Sequence, residues 1–209
     1  MKVIIYDCDG VLIDSRRANR AYYNHILEKF GQKPLTDPQL DFVQTSTARE
    51  AVDFLFQDSP RRQEAQAYQL TIDNRPFLPL LHLEPQIREV LTALRPHYHT
   101  AVATNRGKSL PLVLQQLGLE ALFDLTISSY DVEHPKPHPE CLLIILEHFR
   151  VKPEEAMYIG DAPVDLLVSR RAGVFFAAYR HPELEADYHL QDHGELLGIL
   201  PDLSGPLHL

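Results

Sequence analysis

From Pro85 onward, short apolar runs rich in β-branched residues alternate with stretches of helical periodicity, and no other feature narrows the fold so far. Strands are expected at Thr100–Thr104, Leu125–Ser128, Ala156–Ile159 and Val174–Ala177. Helices are expected at Pro85–Leu94, Ser109–Leu117, Pro139–Phe149 and Pro163–Arg171, with a short one near Glu195–Ile199. Gly118 and Gly173 stand where helices commonly stop. Val3 to Tyr6 is a continuous apolar run of the kind buried on both faces of a parallel sheet. Strands and helices alternating at this spacing specify a parallel sheet covered on both sides, and right-handed crossovers make it doubly wound. The expected fold class is therefore α/β.

The segment after the first strand breaks that rhythm. Arg16 to Phe30 reads as a helix, with Ser15 as its N-cap and Gly31 as its stop. From Lys33 to about Leu83 apolar residues thin out and Gln, Arg, Asp and Pro increase. Two helices are expected there, near Ser46–Phe56 and Arg61–Asn74, followed by a proline-spaced return linker from Arg75 to Pro85 with no strand. The organisation expected is an α/β core, residues 1–15 and 84–209, interrupted by a helical insertion over residues 16–83.

Composition excludes some functions. The chain has 209 residues and 44% hydrophobic content, enough to bury a real core. Its net charge is −9 and it has no basic run, which argues against a nucleic-acid partner. Two cysteines, Cys8 and Cys141, make no disulfide framework and fit a reducing compartment. The N-terminal apolar stretch is too short for a signal peptide, and no segment approaches the length of a membrane span. A cytoplasmic location with no membrane partner is expected. Oligomeric state is not legible.

In open α/β sheets, ligands bind beyond the carboxyl ends of the strands. Asp7 and Asp9 follow the first strand, Thr104 and Asn105 the second of the core, Lys136 the third by a loop, and Gly160, Asp161 and Asp165 the fourth. Each piece has a plainer reading. Asp-x-Asp-Gly is common in turns. As a calcium loop it fails, because the required Gly and Glu fall on Leu12 and Ala18. Asn105–Ser109 ends like a P-loop, but the first glycine falls on Val102; the plain alternative is a helix start with a Ser cap and exposed cations. Thr104, beside a helix start with free N–H groups, suits phosphate contact. His134 and His138 flank Lys136 in a proline-stiffened loop, but no third ligand at zinc spacing accompanies them. Cys8 alternates away from the two acids and is expected in the core.

Taken in order, the four pieces Asp7/Asp9 within Asp-x-Asp-Gly-Val-Leu-x-Asp-Ser, Thr104-Asn105, Lys136-Pro137 and Gly160-Asp161 with Asp165 resemble the haloacid dehalogenase superfamily. The match spans residue 3 to about 177, and the insertion is similar to the helical cap of its phosphoglycolate phosphatase and β-phosphoglucomutase-like subgroup. The resemblance implies a Rossmann-like core and a Mg²⁺-dependent phosphatase, a phosphoric monoester hydrolase acting on a small phosphorylated metabolite. It implies that Asp7 attacks phosphorus to form an aspartyl-phosphate. Asp9 protonates the leaving alkoxide and then activates water. The same resemblance implies that Asp7, the Asp9 carbonyl and Asp161 would hold Mg²⁺, with Asp165 orienting that site. Lys136 holds Asp7 and the phosphate together, while the Thr104 hydroxyl and Asn105 N–H bind the transferring oxygens.

Other chemistries of the superfamily stay in view. Dehalogenases lack the acid at the position of Asp9. Phosphonate hydrolysis needs a Lys in the cap, and no Lys lies between Lys33 and Lys108. A phosphomutase would need a cap Arg to grip a distal phosphate, a part open to Arg49, which reads equally as a surface Arg paired with Glu. A receiver domain would be shorter and lack the insertion. Phosphoglycolate-like esters are the substrate class expected first.

Overall fold

The computed structural model describes residues 1–200 of the chain. The end of the expected core segment, residues 201–209, lies outside the described residues. The strands are β1 (Val3–Tyr6), β2 (Ile13–Asp14), β3 (His82–Leu83), β4 (His99–Ala103), β5 (Leu125–Ile127), β6 (Ala156–Gly160), β7 (Phe175–Tyr179) and β8 (Tyr188–Leu190). Six of them form one sheet in the order β5-β4-β1-β6-β7-β8, with every pairing parallel. Alternation along β1 sends Val3 and Ile5 into the hydrophobic cluster on one face and Ile4 and Tyr6 into that on the other.

Helices α5 (Ile87–Leu94), α6 (Leu110–Gln116) and α9 (Glu195–Ile199) cover one face through Val90, Leu91, Leu94, Val113, Leu114 and Leu196. Helices α7 (Glu140–Phe149) and α8 (Pro163–Ala172) cover the other through Leu142, Ile145, Leu146, Val168 and Ala172. The sheet is thus doubly wound, as the periodicity predicts. Because β1 sits between β4 and β6, the chain order reverses beside it, which opens a crevice at its carboxyl end. Cys8 joins Ile4 and Tyr6 in the first cluster, on the face that alternation assigns it.

Between β2 and β3 the chain forms α1 (Arg16–Lys29), α2 (Asp37–Thr45), α3 (Ala48–Leu55) and α4 (Arg62–Thr71). These helices share their own apolar cluster, centred on Tyr23, Ile26, Leu40, Val52 and Phe56. Three local features depart from expectation. Helix α2 lies where no element is expected; Thr36 and Gln39 form a capping box and Pro38 sits in its first turn, where a missing N–H costs nothing. The return linker contains a 3₁₀ turn, Arg75–Leu80, and the short strand β3, which pairs antiparallel with β2. Strand β8 extends the sheet by one edge member of three residues, two of them exposed, too short and too polar for its pattern to stand out.

Candidate active site

The loop after β1 places the first acids. Gly10 adopts φ of 82°, and its N–H donates to the Ile13 carbonyl while the Leu12 and Ile13 N–H groups donate to the Cys8 carbonyl. A side chain at Gly10 would be strained there and would overlap the Asp161 carboxylate. Val11, Leu12 and Ile13 are fully buried, so the loop dips into the core before α1 starts. His193, stacked on Tyr179 at 4.3 Å, meets the Val11 carbonyl through Nε2 at 2.8 Å and pins the loop from below. Burial pushes the His193 pKa down to about 4, so it stays neutral. Ser15 precedes α1 but does not cap it; Asp14 accepts the Arg16 N–H instead, and the Ser15 hydroxyl meets Asn19 and Gln44.

Lys136, 4% exposed, is the hub. Its Nζ donates to Asp7 Oδ1 at 2.9 Å, to Asp165 Oδ1 at 2.6 Å and to the Tyr158 hydroxyl at 2.8 Å. Burial would lower its pKa, but Asp165 and Asp7 outweigh that and hold it above the usual lysine range. Tyr158 comes from the buried strand β6, and its hydroxyl reaches both Asp165 and the Ala103 carbonyl. The Asn105 side chain fixes the same loop, donating to the Lys136 and Thr45 carbonyls and accepting the Lys136 N–H. Thr104 is buried, and its hydroxyl accepts the Arg106 N–H at 3.1 Å.

Asp7, Asp161 and Asp165 each offer a carboxylate oxygen within 4.8 Å of the others. Burial, with Asp165 repulsion added, pushes Asp161 up to about 8; burial also pushes Asp7 up to about 7 against the pull of Lys136. Three carboxylates and one ammonium leave this corner short of positive charge, and its all-oxygen donor set suits a hard divalent cation. Asp165 is not an open donor. Its Oδ1 is taken by Lys136 and Tyr158, and its Oδ2 accepts the Asp161 and Ala162 N–H groups, so it supports the corner from behind.

A stability test follows from those shifts. Carboxyls with raised native pKa bind more protons folded than unfolded, so the metal-free protein loses stability as pH rises from about 4 to about 8. Thermal denaturation should show a Tm lower by on the order of 10 °C at pH 8 than at pH 5.5, with the decline flattened in Asp161→Asn. Millimolar Mg²⁺, which competes with those protons, should raise Tm more at pH 8. Equal Mg²⁺ effects at both pH values would contradict this account.

Asp9 stands apart. Its carboxylate is held by both faces of the Arg106 fork, through Nε at 2.9 Å and a closer contact from Nη2. Burial would raise its pKa, but the charge and hydrogen bonds of Arg106 prevail and hold it below the usual carboxylate range. Arg106 and Tyr158 are site residues that sequence reasoning did not single out. Asn105–Ser109 reads there as a helix start with exposed cations; this holds for Lys108, whereas the Arg106 side chain is 11% exposed.

These groups line one cavity of ≈ 100 Å³ between the sheet edge and the inserted helices. The structure brings Asp7, Asp9, Thr104, Asn105, Lys136, Asp161 and Asp165 to its walls. Arg49 is not among them. Ala48, the first residue of α3, faces the cavity; Arg49, next along the helix, is exposed and lines a shallower surface depression. The structure therefore does not bring Arg49 to this cavity with the other expected site residues.

The arrangement can be set beside known proteins. A phosphorylated carbohydrates phosphatase from Thermotoga maritima is 27% identical over 83% of this chain and 82% of its own length. Pyrophosphatase PpaX from Bacillus thuringiensis is 26% identical over 98% of each. The crystal structure of a HAD-superfamily hydrolase, subfamily IA, from Geobacter sulfurreducens superposes with a TM-score of 0.85 at 37% identity, covering 96% of this chain and all of that one. The family model described as haloacid dehalogenase-like hydrolase matches residues 4–179, a span that opens on β1 and closes on β7, and the chain belongs to that family.

Proposed function

We propose that this protein is a Mg²⁺-dependent phosphatase that hydrolyses a small phosphomonoester through an aspartyl-phosphate on Asp7. The observation that carries the reading is the buried contact set Asp7–Lys136–Asp165, with Asp161 and Thr104 on the same rim. A carboxylate, an anion-binding ammonium and a hydroxyl donor are what in-line phosphoryl transfer requires. Asp7 attacks phosphorus and the bond to the alkoxide breaks. Water then attacks phosphorus, the bond to Asp7 breaks, and inorganic phosphate leaves. Asp9, held ionised by Arg106 in the empty site, takes up a proton as the ester binds, gives it to the alkoxide and recovers one from the water. Lys136 offsets charge on Asp7 and the phosphoryl oxygens, while the Thr104 hydroxyl and Asn105 N–H donate to those oxygens. The Asp7 and Asp161 carboxylates and the Asp9 carbonyl would hold Mg²⁺, with Asp165 steadying the corner. When bound, it supplies the charge neutralisation that lets an anionic nucleophile approach an anionic ester.

The helices over residues 16–83 act as a cap that closes the cavity against water. At ≈ 100 Å³ the space is below the ~300–1,000 Å³ typical of larger ligands, which favours a compact ester, phosphoglycolate-like or a small phosphorylated carbohydrate. A mutase would ask Arg49 to grip a second phosphate, and Arg49 lies outside the cavity. The test is phosphate release from p-nitrophenyl phosphate and a panel of small phosphomonoesters. Release should need Mg²⁺, stop in EDTA and return when Mg²⁺ is restored. Turnover indifferent to EDTA, or none on the whole panel, would reject the reading.

A further inference from the structure

Among the described residues, three cationic side chains line the cavity: Lys136, Lys108 and Arg106. Lys136 is engaged by Asp7 and Asp165. Lys108 is exposed and donates to the Leu70 carbonyl. Arg106 bridges the two halves of the molecule, from Asp9 at the sheet edge to Asn19 Oδ1 on α1 at 3.4 Å, with Nη1 also on Ser109 Oγ at 3.2 Å. On this side the neighbouring walls are neutral: Asn19, Tyr22, Gln44, Ser46 and Asn74. A leaving group bonded to a phosphoryl at Asp7 would extend into this space.

The Asp9–Arg106 pair is at odds with the work proposed for Asp9. An acid held by both donors of a guanidinium fork is fixed in direction and cannot turn to an ester oxygen. Simply breaking a nearly buried ion pair is costly, because it strands both charges. Exchanging one anion for another keeps Arg106 paired, so only the Asp9 half of that penalty remains. We propose that Arg106 changes partners on substrate binding: it holds Asp9 in the empty site and, in the loaded site, takes an oxyanion carried by the leaving group, which frees Asp9 to turn to the ester oxygen. The inference rests on the phosphatase reading and adds a residue that selects substrate. The chemistry recognised is a second oxyanion, carboxylate or phosphate, a few bonds from the reacting phosphoryl. Binding energy from this remote group is then spent on assembling the reacting geometry, so it raises kcat as well as lowering KM.

Ethyl phosphate, 2-phosphoglycolate and ethylene glycol bisphosphate share a two-carbon skeleton and carry no second anion, a carboxylate or a phosphate. With Mg²⁺, at least one anionic ester should exceed ethyl phosphate about tenfold or more in kcat/KM, part of it in kcat. The favoured ester identifies the anion. Arg106→Gln should bring that ratio below about twofold, and Arg106→Lys, a charge without a fork, should restore part of it. An unchanged ratio in Arg106→Gln overturns the proposal. Should Arg106→Gln fail to fold by circular dichroism, the drop in Arg106→Lys carries the comparison. Calorimetric titration of Asp7→Asn and Asp7→Asn/Arg106→Gln with the same compounds reads the preference without turnover. Absence of phosphate release then counts against the phosphatase reading alone. Equal affinity of Asp7→Asn for all three compounds overturns the partner exchange.

Discussion

Asp7→Asn is expected to reduce phosphate release on the order of 10³-fold or more while leaving the fold and its melting temperature intact. The two effects separate because the substitution is nearly isosteric. The Asn carbonyl oxygen can still accept from Lys136 Nζ, now 2.9 Å from Asp7 Oδ1, and the chain still leaves β1 through the Asp7 N–H bond to the Ile159 carbonyl. What disappears is the anionic nucleophile of the proposed reaction. The crowded corner also loses one negative charge, which relieves Asp161, whose raised pKa reports repulsion from Asp165 and Asp7 after burial. The Tm near pH 8 should therefore hold steady or rise. A variant that keeps most of its turnover would remove Asp7 from the chemistry; one that loses turnover by unfolding would show a structural role instead. Circular dichroism and melting, measured alongside phosphate release, distinguish these outcomes.

The core was legible because its signals are local and strong. Val3–Tyr6 and Ala156–Ile159 are short apolar runs that only a doubly covered sheet can bury, and Gly173 closes α8 at φ of 72°, a conformation glycine adopts freely. The inserted helices were harder. Their apolar cluster is drawn from four separate segments, so no single window displays it. Helix α2 carried a capping box, Thr36 with Gln39, but Asp37-Pro38 looks like a turn when read alone. Strands β2 and β3 have two residues each and exist because they pair with one another across the whole insertion, a fact no local pattern carries.

The site divides in a similar way. Asp7, Thr104, Lys136 and Asp161 follow strand ends or their loops, and the sheet rule alone collects them. Arg106 was overlooked because sequence presents it among Gly107 and Lys108 in what resembles a solvated helix start; its partner Asp9 is 97 positions earlier in the chain. Tyr158 carried a fainter sign. A phenol in a fully buried, otherwise apolar strand is a candidate for a buried hydrogen bond, and polar residues follow this run at its carboxyl end. Arg49 shows the reverse case. Its charge fits a phosphate, but one step along α3 turns it to solvent.

Lys136→Met should destabilise the protein by about 3–5 kcal/mol, which lowers Tm by on the order of 10 °C at this chain length. Asp165 is fully buried, and its Oδ1 accepts from Lys136 Nζ at 2.6 Å; removing the ammonium strands a carboxylate that solvent cannot reach. Asp7 loses its cation in the same step. In the native protein the Lys136 pKa lies above its unfolded value, so this stabilisation is fully present below about pH 10 and the loss should appear across the neutral range. Tyr158 and the Asp161 and Ala162 N–H groups still reach Asp165, which is why the fold should survive. The double variant Lys136→Met/Asp165→Asn removes both charges and should recover part of the deficit, a non-additivity expected only of groups in direct contact. Strict additivity, measured by denaturant titration of the four proteins in this cycle, would show that the ammonium steadies the site through Asp7 alone. Recovery of stability in the double variant without recovery of phosphate release would separate two tasks of Lys136: neutralising the buried Asp165, and holding the nucleophile and its substrate together.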